Sequence, residues 1–395
     1  MLRAKELRKM WDEDAQGTAD HVTESAKKKE VSLADYSIRE LAEELIPDGR
    51  EYVRMMDPQH RSGVLEAAHA VDTAAFSHIT GQLIFSTMMQ SLELQDLIGD
   101  RLVTVMPSQF QDEEKVPGIS PNSDEYEDEI AEGDDYPIVG LSENYIRLPR
   151  AEKHGGILPI TREAVIADRT GMLVEMARKV SQGLAIRREK TILDTFIGAV
   201  NPYEYKSEAR ITYHNTDMGF DNIATDALVN YTDIENVSQM FLRMRDPSTG
   251  EPLGHRPTTI VVAPQLEWVA RRVTQTAGLN VGDITAAPGI QTAGSNIIPW
   301  PLEILSNDWL WNRLLAADGV AGLDTDTTKA AAFWFLGRPR EAFVWKEIWS
   351  TQVEEAGVNN EAQFTQDIWF RFKIGYKGVP GVVEPRLMIR SDGTA

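Results

Sequence analysis

The residues of this chain that could do chemistry do not assemble into a recognisable active site. Cysteine is absent, which removes thiol nucleophiles, thiolate metal sites and disulfides, and which fits a reducing compartment such as bacterial cytoplasm. No glycine-rich loop leads into Lys-Ser or Lys-Thr, and no Gly-x-Ser-x-Gly nucleophile elbow occurs. The seven histidines are scattered, with none four residues from another on a predicted helix. We therefore predict no catalytic residue, no cofactor and no metal site.

Charged residues are abundant, but they lie in runs typical of solvated surface. Eleven acidic residues and a single lysine, Lys115, fall within residues 108–137. Residues 124–135 lack the alternating acids and central glycine of a calcium loop. The run Arg187-Arg188-Glu189-Lys190 could contact nucleic acid, although a solvated or subunit-facing helix side is the commoner meaning. The net charge of −21 argues against a free basic surface for phosphate backbones.

Composition sets the class of protein. A chain of 395 residues, 42% of them apolar, can fill the cores of two compact lobes. No apolar run approaches the roughly 18 residues of a membrane span, and residues 1–11 are charged rather than signal-like. We expect a soluble, non-secreted protein.

The first part of the chain predicts an arm, a helix and a long hairpin. Residues 1–71 contain narrow apolar stripes, such as Leu41 and Leu45 ahead of Pro47, which need a covering surface from this subunit or a neighbour. A helix is expected over residues 71–94. Residues 101–106 alternate as a strand, and residues 145–148 are predicted to be its returning partner. The acidic stretch between them can bury little and should project from the body.

One long helix follows the hairpin. Thr161 is predicted to cap a short turn, and Asp168 is predicted to cap a helix that reaches about residue 198. At 1.5 Å per residue this helix would be about 45 Å long, which suits a spine across a flat subunit.

The remainder predicts an α/β lobe and closing strands. In the lobe we expect strands at residues 258–263, 297–305 and 331–336, a helix at 233–244, a helix starting at Pro264, and a surface loop at 277–296. Period-two alternation predicts strands near residues 342–349, 368–376 and 382–389, with Gly375, Gly378 and Gly381 as bends among them. The C-terminal strands are expected to share a sheet with residues 101–148.

This order of parts, with its polar hairpin, the Thr161-Arg162-Glu163 turn and the long helix, resembles the major capsid proteins of tailed bacteriophages, the Hong Kong 97 type of shell subunit. The resemblance implies an α+β fold with an N-terminal arm, an E-loop hairpin, a P-domain holding the spine helix and an antiparallel sheet, and an inserted A-domain. The implied boundaries are an arm at 1–70, P-domain parts at 71–107, 143–201 and 338–395, an E-loop at 108–142 and an A-domain at 202–337.

The same resemblance implies a function and a set of partners. The expected function is a non-enzymatic shell subunit that self-assembles into hexamers and pentamers of an icosahedral capsid around double-stranded DNA, without sequence-specific contact and without a membrane. Scaffolding, portal and decoration proteins are further expected partners. The expected locations are the virion and, during assembly, the host cytoplasm.

Several alternatives stay open at this stage. An encapsulin, a bacterial compartment of the same fold, is the runner-up, and the long arm and acidic E-loop favour the virus. An acidic metal-dependent enzyme is the alternative of another class, and the acidic stretch could be a flexible insertion without a partner.

Two groups of residues also have more than one interpretation. Seven of nine tryptophans fall within residues 300–369, where they either anchor the core and interfaces or line a ligand cleft. Some capsids of this type join their subunits by isopeptide bonds between a lysine and an asparagine, with a glutamate nearby. The only arrangement that we can propose here is Lys115 with Asn359 or Asn360, with Glu361 as the glutamate.

Overall fold

A computed structural model describes residues 4–14, 38–45, 74–92, 97–118, 145–167, 172–215, 219–245, 252–275, 298–320, 323–356 and 368–393. Asp168, the acidic residues 124–135, the predicted loop at 277–296 and the Asn359–Glu361 group lie outside these ranges. The chain divides into two compact units. The first unit is Met1–Gln95, Lys153–Arg187 and Trp349–Lys377, and the second unit is Asp96–Glu152, Arg188–Ile348 and Gly378–Ala395.

Helices and strands are mixed along the chain, which confirms the predicted α+β class. The helices are α1 (Ala4–Glu13), α2 (Ile38–Leu45), α3 (Ala74–Leu92), α4 (Gly99–Leu102), α5 (Arg162–Ala167), α6 (Met172–Ile197), α7 (Tyr231–Arg243), α8 (Glu267–Gln275), α9 (Asp308–Ala316), α10 (Thr327–Ala330) and α11 (Pro339–Ala342). The strands are β1 (Thr104–Pro107), β2 (Glu114–Pro117), β3 (Tyr145–Leu148), β4 (Glu152–Thr161), β5 (Tyr203–Tyr205), β6 (Glu208–Arg210), β7 (Ile223–Ala224), β8 (Thr259–Val262), β9 (Glu303–Ser306), β10 (Trp334–Gly337), β11 (Phe343–Glu355), β12 (Ile368–Val382) and β13 (Met388–Ser391).

The N-terminal helices pack on one another within the first unit. Helix α2 contacts α1, α3 and α5. Leu7, Leu41 and Leu45 are completely buried, so the narrow stripes predicted from the sequence are covered by the chain's own helices. Thr161 caps α5 as expected, since its hydroxyl accepts a hydrogen bond from Ala164 N at 3.3 Å.

The long helix is present as α6, whose 26 residues span about 39 Å. It ends at Gly198, which has a φ of +82°. A side chain there would adopt a disfavoured backbone conformation and would stand 2.9 Å from the ring of Tyr213, so glycine is required at this stop.

The expected pairing of the hairpin strands is wrong. Strand β3 pairs antiparallel with β2, Glu114 opposite Leu148, rather than with residues 101–106. Part of that predicted strand is helix α4, and the rest, β1, pairs in parallel with β11, Thr104 opposite Val344. Alternation along a strand shows which face is buried but does not identify the neighbour.

The C-terminal strands enter two sheets, not one. Strands β11 and β12 lie in the sheet of order β1-β11-β12-β4, which is not wholly antiparallel because β1 and β11 are parallel. Strand β13 instead joins the central sheet of order β7-β13-β10-β8-β9, next to β10. Strand β12 also runs unbroken through the predicted glycine bends. At Gly378, for example, a side chain would stand 2.7 Å from the ring of Trp345, so the glycine allows close packing.

The central sheet holds the core of the second unit. Helix α7 is close to its predicted range and begins with a capping box of Asn230 and Asp233. Helix α8 crosses over between the parallel strands β8 and β9, which are shorter or shifted versions of the predicted strands. Helix α9 was not predicted. The core side chains come from β8, β10, β13 and the two helices, and include Val237, Phe241, Ile260, Val262, Ala270, Trp334, Leu336 and Ile389.

Candidate functional site

The root of the acidic stretch is a polar region of the second unit in which charged side chains from distant parts of the chain are paired. We define the root as β2, β3 and the side chains that fasten them, Glu114, Arg188, Glu189 and Lys346. Strands β2 and β3 continue into β5 and β6 to make a four-stranded sheet of order β2-β3-β5-β6. The last described strand before the acidic residues 124–135, β2, is therefore paired with the first described strand after them, β3.

Lys346 is the central charge of the root. It lies on β11 with its side chain fully buried. Its ammonium donates a 2.6 Å hydrogen bond to the carbonyl of Asp112 and lies 3.4 Å from the carboxylate of Glu114. The hydroxyl of Ser108 donates to the same carboxylate at 2.6 Å. A buried charge is tolerable only when it is paired in this way, so these bonds hold the segment before β2 against β11.

Glu189 fastens a second part of the root. This residue of α6 is 3% exposed, and its carboxylate accepts hydrogen bonds from the amides of Ile98 at 3.0 Å and Gly99 at 2.8 Å. These amides lie at the start of α4, where a helix has donors without internal partners. Burial raises the pKa of the Glu189 carboxyl, and the two amide bonds oppose that rise. The chain entering β1 is thereby tied to the long helix.

The neighbouring cations of α6 are also engaged. Arg188 lies 2.7 Å from Asp100, and its guanidinium stands 4.8 Å from the ring centre of Trp345. Lys190 stands 4.5 Å from the ring centre of Trp309, and Arg187 donates to His154 at 3.3 Å. The expectation of a solvated helix side is therefore wrong for Glu189 and for much of Arg188, whose partners belong to the chain itself, while the nucleic-acid and subunit-facing interpretations of the run stay predictions. An isolated basic-acidic run on a helix gives no signal of such burial.

The cations on the rim of the root have acidic neighbours. Arg147 lies 3.6 Å from Glu113 and 3.4 Å from Glu204, and Arg150 lies 3.6 Å from Asp112. These groups are exposed, so each pair contributes no more than about 1 kcal/mol. Their value is to set local charge rather than to add stability.

The proposed crosslinking residues are only partly placed. Lys115 is exposed on β2, opposite Arg147. Asn359, Asn360 and Glu361 lie outside the described residues, so their pairing with Lys115 stays a prediction.

Nothing in the root has the arrangement of a reacting centre, because its charges bond to amides, carbonyls and each other. In the ranges that the structure describes, no three or more His, Asp or Glu side chains form a group that could hold a metal ion. No described helix is both long enough and apolar enough to cross a membrane.

The tryptophans differ in their surroundings. Trp334 and Trp345 are among the largest fully buried side chains, and so anchor the core. Trp300 instead lines a cavity, together with Leu242 and Arg256.

Comparison with known proteins gives one family. A family model described as phage capsid protein matches residues 146–391. No curated protein matches the sequence. Among solved structures, the capsid of the cyanophage P-SCSP1u has 12% identity and a TM-score of 0.43, covering 73% of this chain and 86% of that chain.

Two other solved structures show the same level of likeness. Gordonia phage Cozz has 12% identity and a TM-score of 0.42, covering 83% of this chain and 98% of that chain. The holo-SrpI encapsulin complex from Synechococcus elongatus has 9% identity and a TM-score of 0.40, covering 74% and 85%. Likenesses this weak do not separate a viral shell from an encapsulin, so the family match is the finding on which an assignment rests.

Proposed function

The chain belongs to the phage capsid protein family, a family of structural shell proteins, and from this premise we propose that it is the major capsid protein of a tailed bacteriophage. Many copies would assemble into an icosahedral shell around double-stranded DNA. The observation that carries the proposal is the extent of the family match, which begins in β3 at the root and ends in β13. The described elements follow the order of a Hong Kong 97-like capsid subunit, from N-terminal helices through hairpin strands and long helix to a central sheet.

The root supports this role because it fixes the two strands that flank the acidic residues in the sequence. Residues 124–135 contain eight acids and no lysine or arginine, whereas buried bonds through Lys346 and Glu189 fix the described chain ahead of them. A segment held at its base and polar along its length suits a contact with another copy. Domain boundaries at 70, 107, 142, 201 and 337 stay a prediction, as does the A-domain reading of the central sheet.

Further parts of the proposal concern partners and place. Hexamers and pentamers would form the shell, with scaffolding, portal and decoration proteins as additional partners. Packaged DNA would be held without sequence-specific contacts, in keeping with the charge of −21. The mature protein would be located in the virion, after assembly in the host cytoplasm.

Electron microscopy of the purified chain, combined with mass measurement, tests the proposal. We expect closed shells or capsomer rings, formed by the chain alone or with a co-expressed scaffold. Shells that enclose DNA during infection support a virus, whereas shells that enclose only a protein cargo indicate an encapsulin. A stable monomer under every salt and protein concentration, with a melting temperature raised by a divalent metal, would overturn the proposal in favour of an acidic enzyme.

A further inference from the structure

The side chain of Trp268 is exposed to an unusual degree. It is the second residue of α8, and 83% of its surface is open to solvent, more than for any other exposed large apolar side chain among the described residues. Among the described residues, none makes a hydrogen bond or a ring contact with this side chain. The rest of α8 packs normally, since Ala270 is buried in the core of the second unit. Single exposed apolar side chains are common on protein surfaces, but tryptophan is among the residues most enriched at binding hot spots, and few tryptophans are left this open.

A cavity of about 530 Å³ lies elsewhere in the same unit. Its apolar wall includes Ile234, Leu242 and Trp300. Two polar atoms in it, Ser238 Oγ and Trp300 Nε1, are buried and have no hydrogen-bond partner among the residues that the structure describes. Orphaned polar atoms are costly when buried, so a cavity that holds two of them is suited to an apolar occupant with a hydrogen-bonding group.

The chemistry of the cavity matches an indole side chain. Ser238 Oγ can accept from an indole N–H, and Arg256, whose guanidinium stands 5.8 Å from the ring centre of Trp300, can lie over a second aromatic face. Glu235 and Gln239 are exposed at the cavity, while Arg272 is exposed one turn beyond Trp268. Glu235 at the cavity is acidic and Arg272 near Trp268 is basic, although Arg256 and Glu267 place the opposite sign beside each of them.

The topology places the two features at opposite ends of one βαβ unit. Strands β8 and β9 are parallel, and α8 connects them. Arg256 and Trp300 precede β8 and β9, whereas Trp268 follows β8 by six residues. A single copy cannot bring the two ends of the unit together, but neighbouring copies can. Such a contact uses different patches on the two copies, and repeated contacts of this kind close into rings.

We propose that Trp268 of one copy inserts into the cavity beside Ser238 and Trp300 of the next copy, in a head-to-tail contact that closes a ring of subunits. The inference rests on the proposed function, because rings of copies are the building blocks of a shell. It adds the partner, which is a second copy of this chain, and the pair of surfaces that meet.

The first experiment compares Trp268→Ala and Ser238→Leu with a control, Val320→Ala, which trims an exposed apolar side chain away from the cavity. Ring formation is followed by sedimentation against protein concentration, and circular dichroism melting checks that each variant folds. We expect Trp268→Ala and Ser238→Leu to raise the concentration for half assembly by at least about tenfold, the effect of losing one hot-spot contact. The control should assemble like the wild type.

A crosslinking experiment tests which surfaces of the two copies meet. Because the chain has no cysteine of its own, only the introduced cysteines can react. Gln239→Cys and Arg272→Cys proteins are treated with a short bis-maleimide, separately and as a mixture. We expect crosslinked dimers from the mixture only, and a ladder of oligomers when one chain carries both cysteines. Crosslinking of either single variant with itself, or normal assembly of Trp268→Ala, would overturn this inference while leaving the shell function intact. A wild-type chain that never forms rings or shells would overturn both.

Discussion

The carboxylate of Glu189 accepts a 2.8 Å hydrogen bond from the amide of Gly99, ninety residues earlier in the chain. The bond ties the middle of the long helix α6 to the short helix α4 that leads into β1. The carboxylate lies so close that a methyl group on Gly99 would overlap Oε2. Glycine is needed at this position because of that close approach and not because of its backbone conformation, since its φ lies outside the left-handed region.

Replacing Gly99 should therefore break this connection. We expect Gly99→Ala to lower the free energy of unfolding by about 1–3 kcal/mol, because it displaces a buried carboxylate from its donors. Gly183→Ala is the matched control, since a side chain there meets open space on the exposed side of α6. That control should gain about 0.5–1 kcal/mol from helix propensity. Urea unfolding of both variants measures the difference, and equal stabilities would contradict the role of Glu189.

Lys346 should be required for the root. In Lys346→Met the carbonyl of Asp112 and the carboxylate of Glu114 lose their buried partner, so we expect a loss of about 1–3 kcal/mol in unfolding free energy. Amide exchange at residues 114–116 should become faster, because β2 is no longer held. Lys115→Met, which removes an exposed lysine from β2, should stay within about 0.5 kcal/mol of the wild type.

Glu355 should make stability depend on pH. Burial raises the pKa of its carboxyl from the ordinary value of 4.5 to about 7. The group lies against Gly81 of α3, a helix without Asp, Glu, Lys or Arg. Since the folded state holds the proton more tightly, the unfolding free energy should fall as the pH rises from about 4.5 to about 7 and should then level off.

Denaturant unfolding between pH 4.5 and pH 8.5 tests this expectation in the wild type and two variants. Glu355→Gln should lose this part of the pH dependence. Glu354→Gln, which alters a surface pair with Lys373, should keep it. A Glu355→Gln slope identical to that of the wild type would show that the carboxyl does not titrate in this range.

The N-terminal stripes should stabilise the subunit itself. Leu41 and Leu45 are fully buried among helices of the same chain. We expect Leu41→Ala or Leu45→Ala to cost about 2–5 kcal/mol in the local stability of these helices, measured by proteolysis of the isolated subunit. Glu40→Ala, at an exposed position of α2, is the control. If the leucine variants resist protease in the monomer and weaken only the assembled shell, the stripes serve a neighbour instead.

Reversing charge in the acidic stretch should block assembly without unfolding the subunit. At 4 Å even a well-solvated pair of like charges costs about 1 kcal/mol, so the stretch needs positive surface on its partner. Arg147 and Arg150 already have acidic neighbours, and Lys153 and Lys377 each stand 5.5 Å from the ring centre of Trp349 in the first unit.

We expect the triple change of Glu127, Asp128 and Glu129 to Lys to leave circular dichroism unaltered and to prevent or misdirect assembly. In the wild type, protease should cut this stretch readily in free subunits and slowly in shells. Normal particles from the triple variant, with equal cleavage before and after assembly, would make the stretch a solvated insertion.

Periodicity located most elements because it records one-sided burial directly. Helices α2, α3, α6 and α7 and strands β8, β11 and β12 lie close to their predicted positions. Helix α9 was missed, since the tryptophans around Leu310 suit a strand as well as a helix, and its cap at Asn307 was not recognised. Strands β9 and β10 begin later than the predicted ranges 297–305 and 331–336. The apolar residues that suggested a strand begin before the hydrogen-bonded part in both cases.

The sequence by itself determined the α+β class, the long helix, the acidic stretch between two strands and the resemblance to a capsid subunit. Only the tertiary structure decided that β3 pairs with β2, that β13 joins the central sheet, and that Lys346 and Glu189 are buried. The physical reason is that a local pattern reports which face of an element is buried but not what covers it. The carbonyl that accepts the hydrogen bond from Lys346 lies 234 residues away in the chain, and only folding brings the two together.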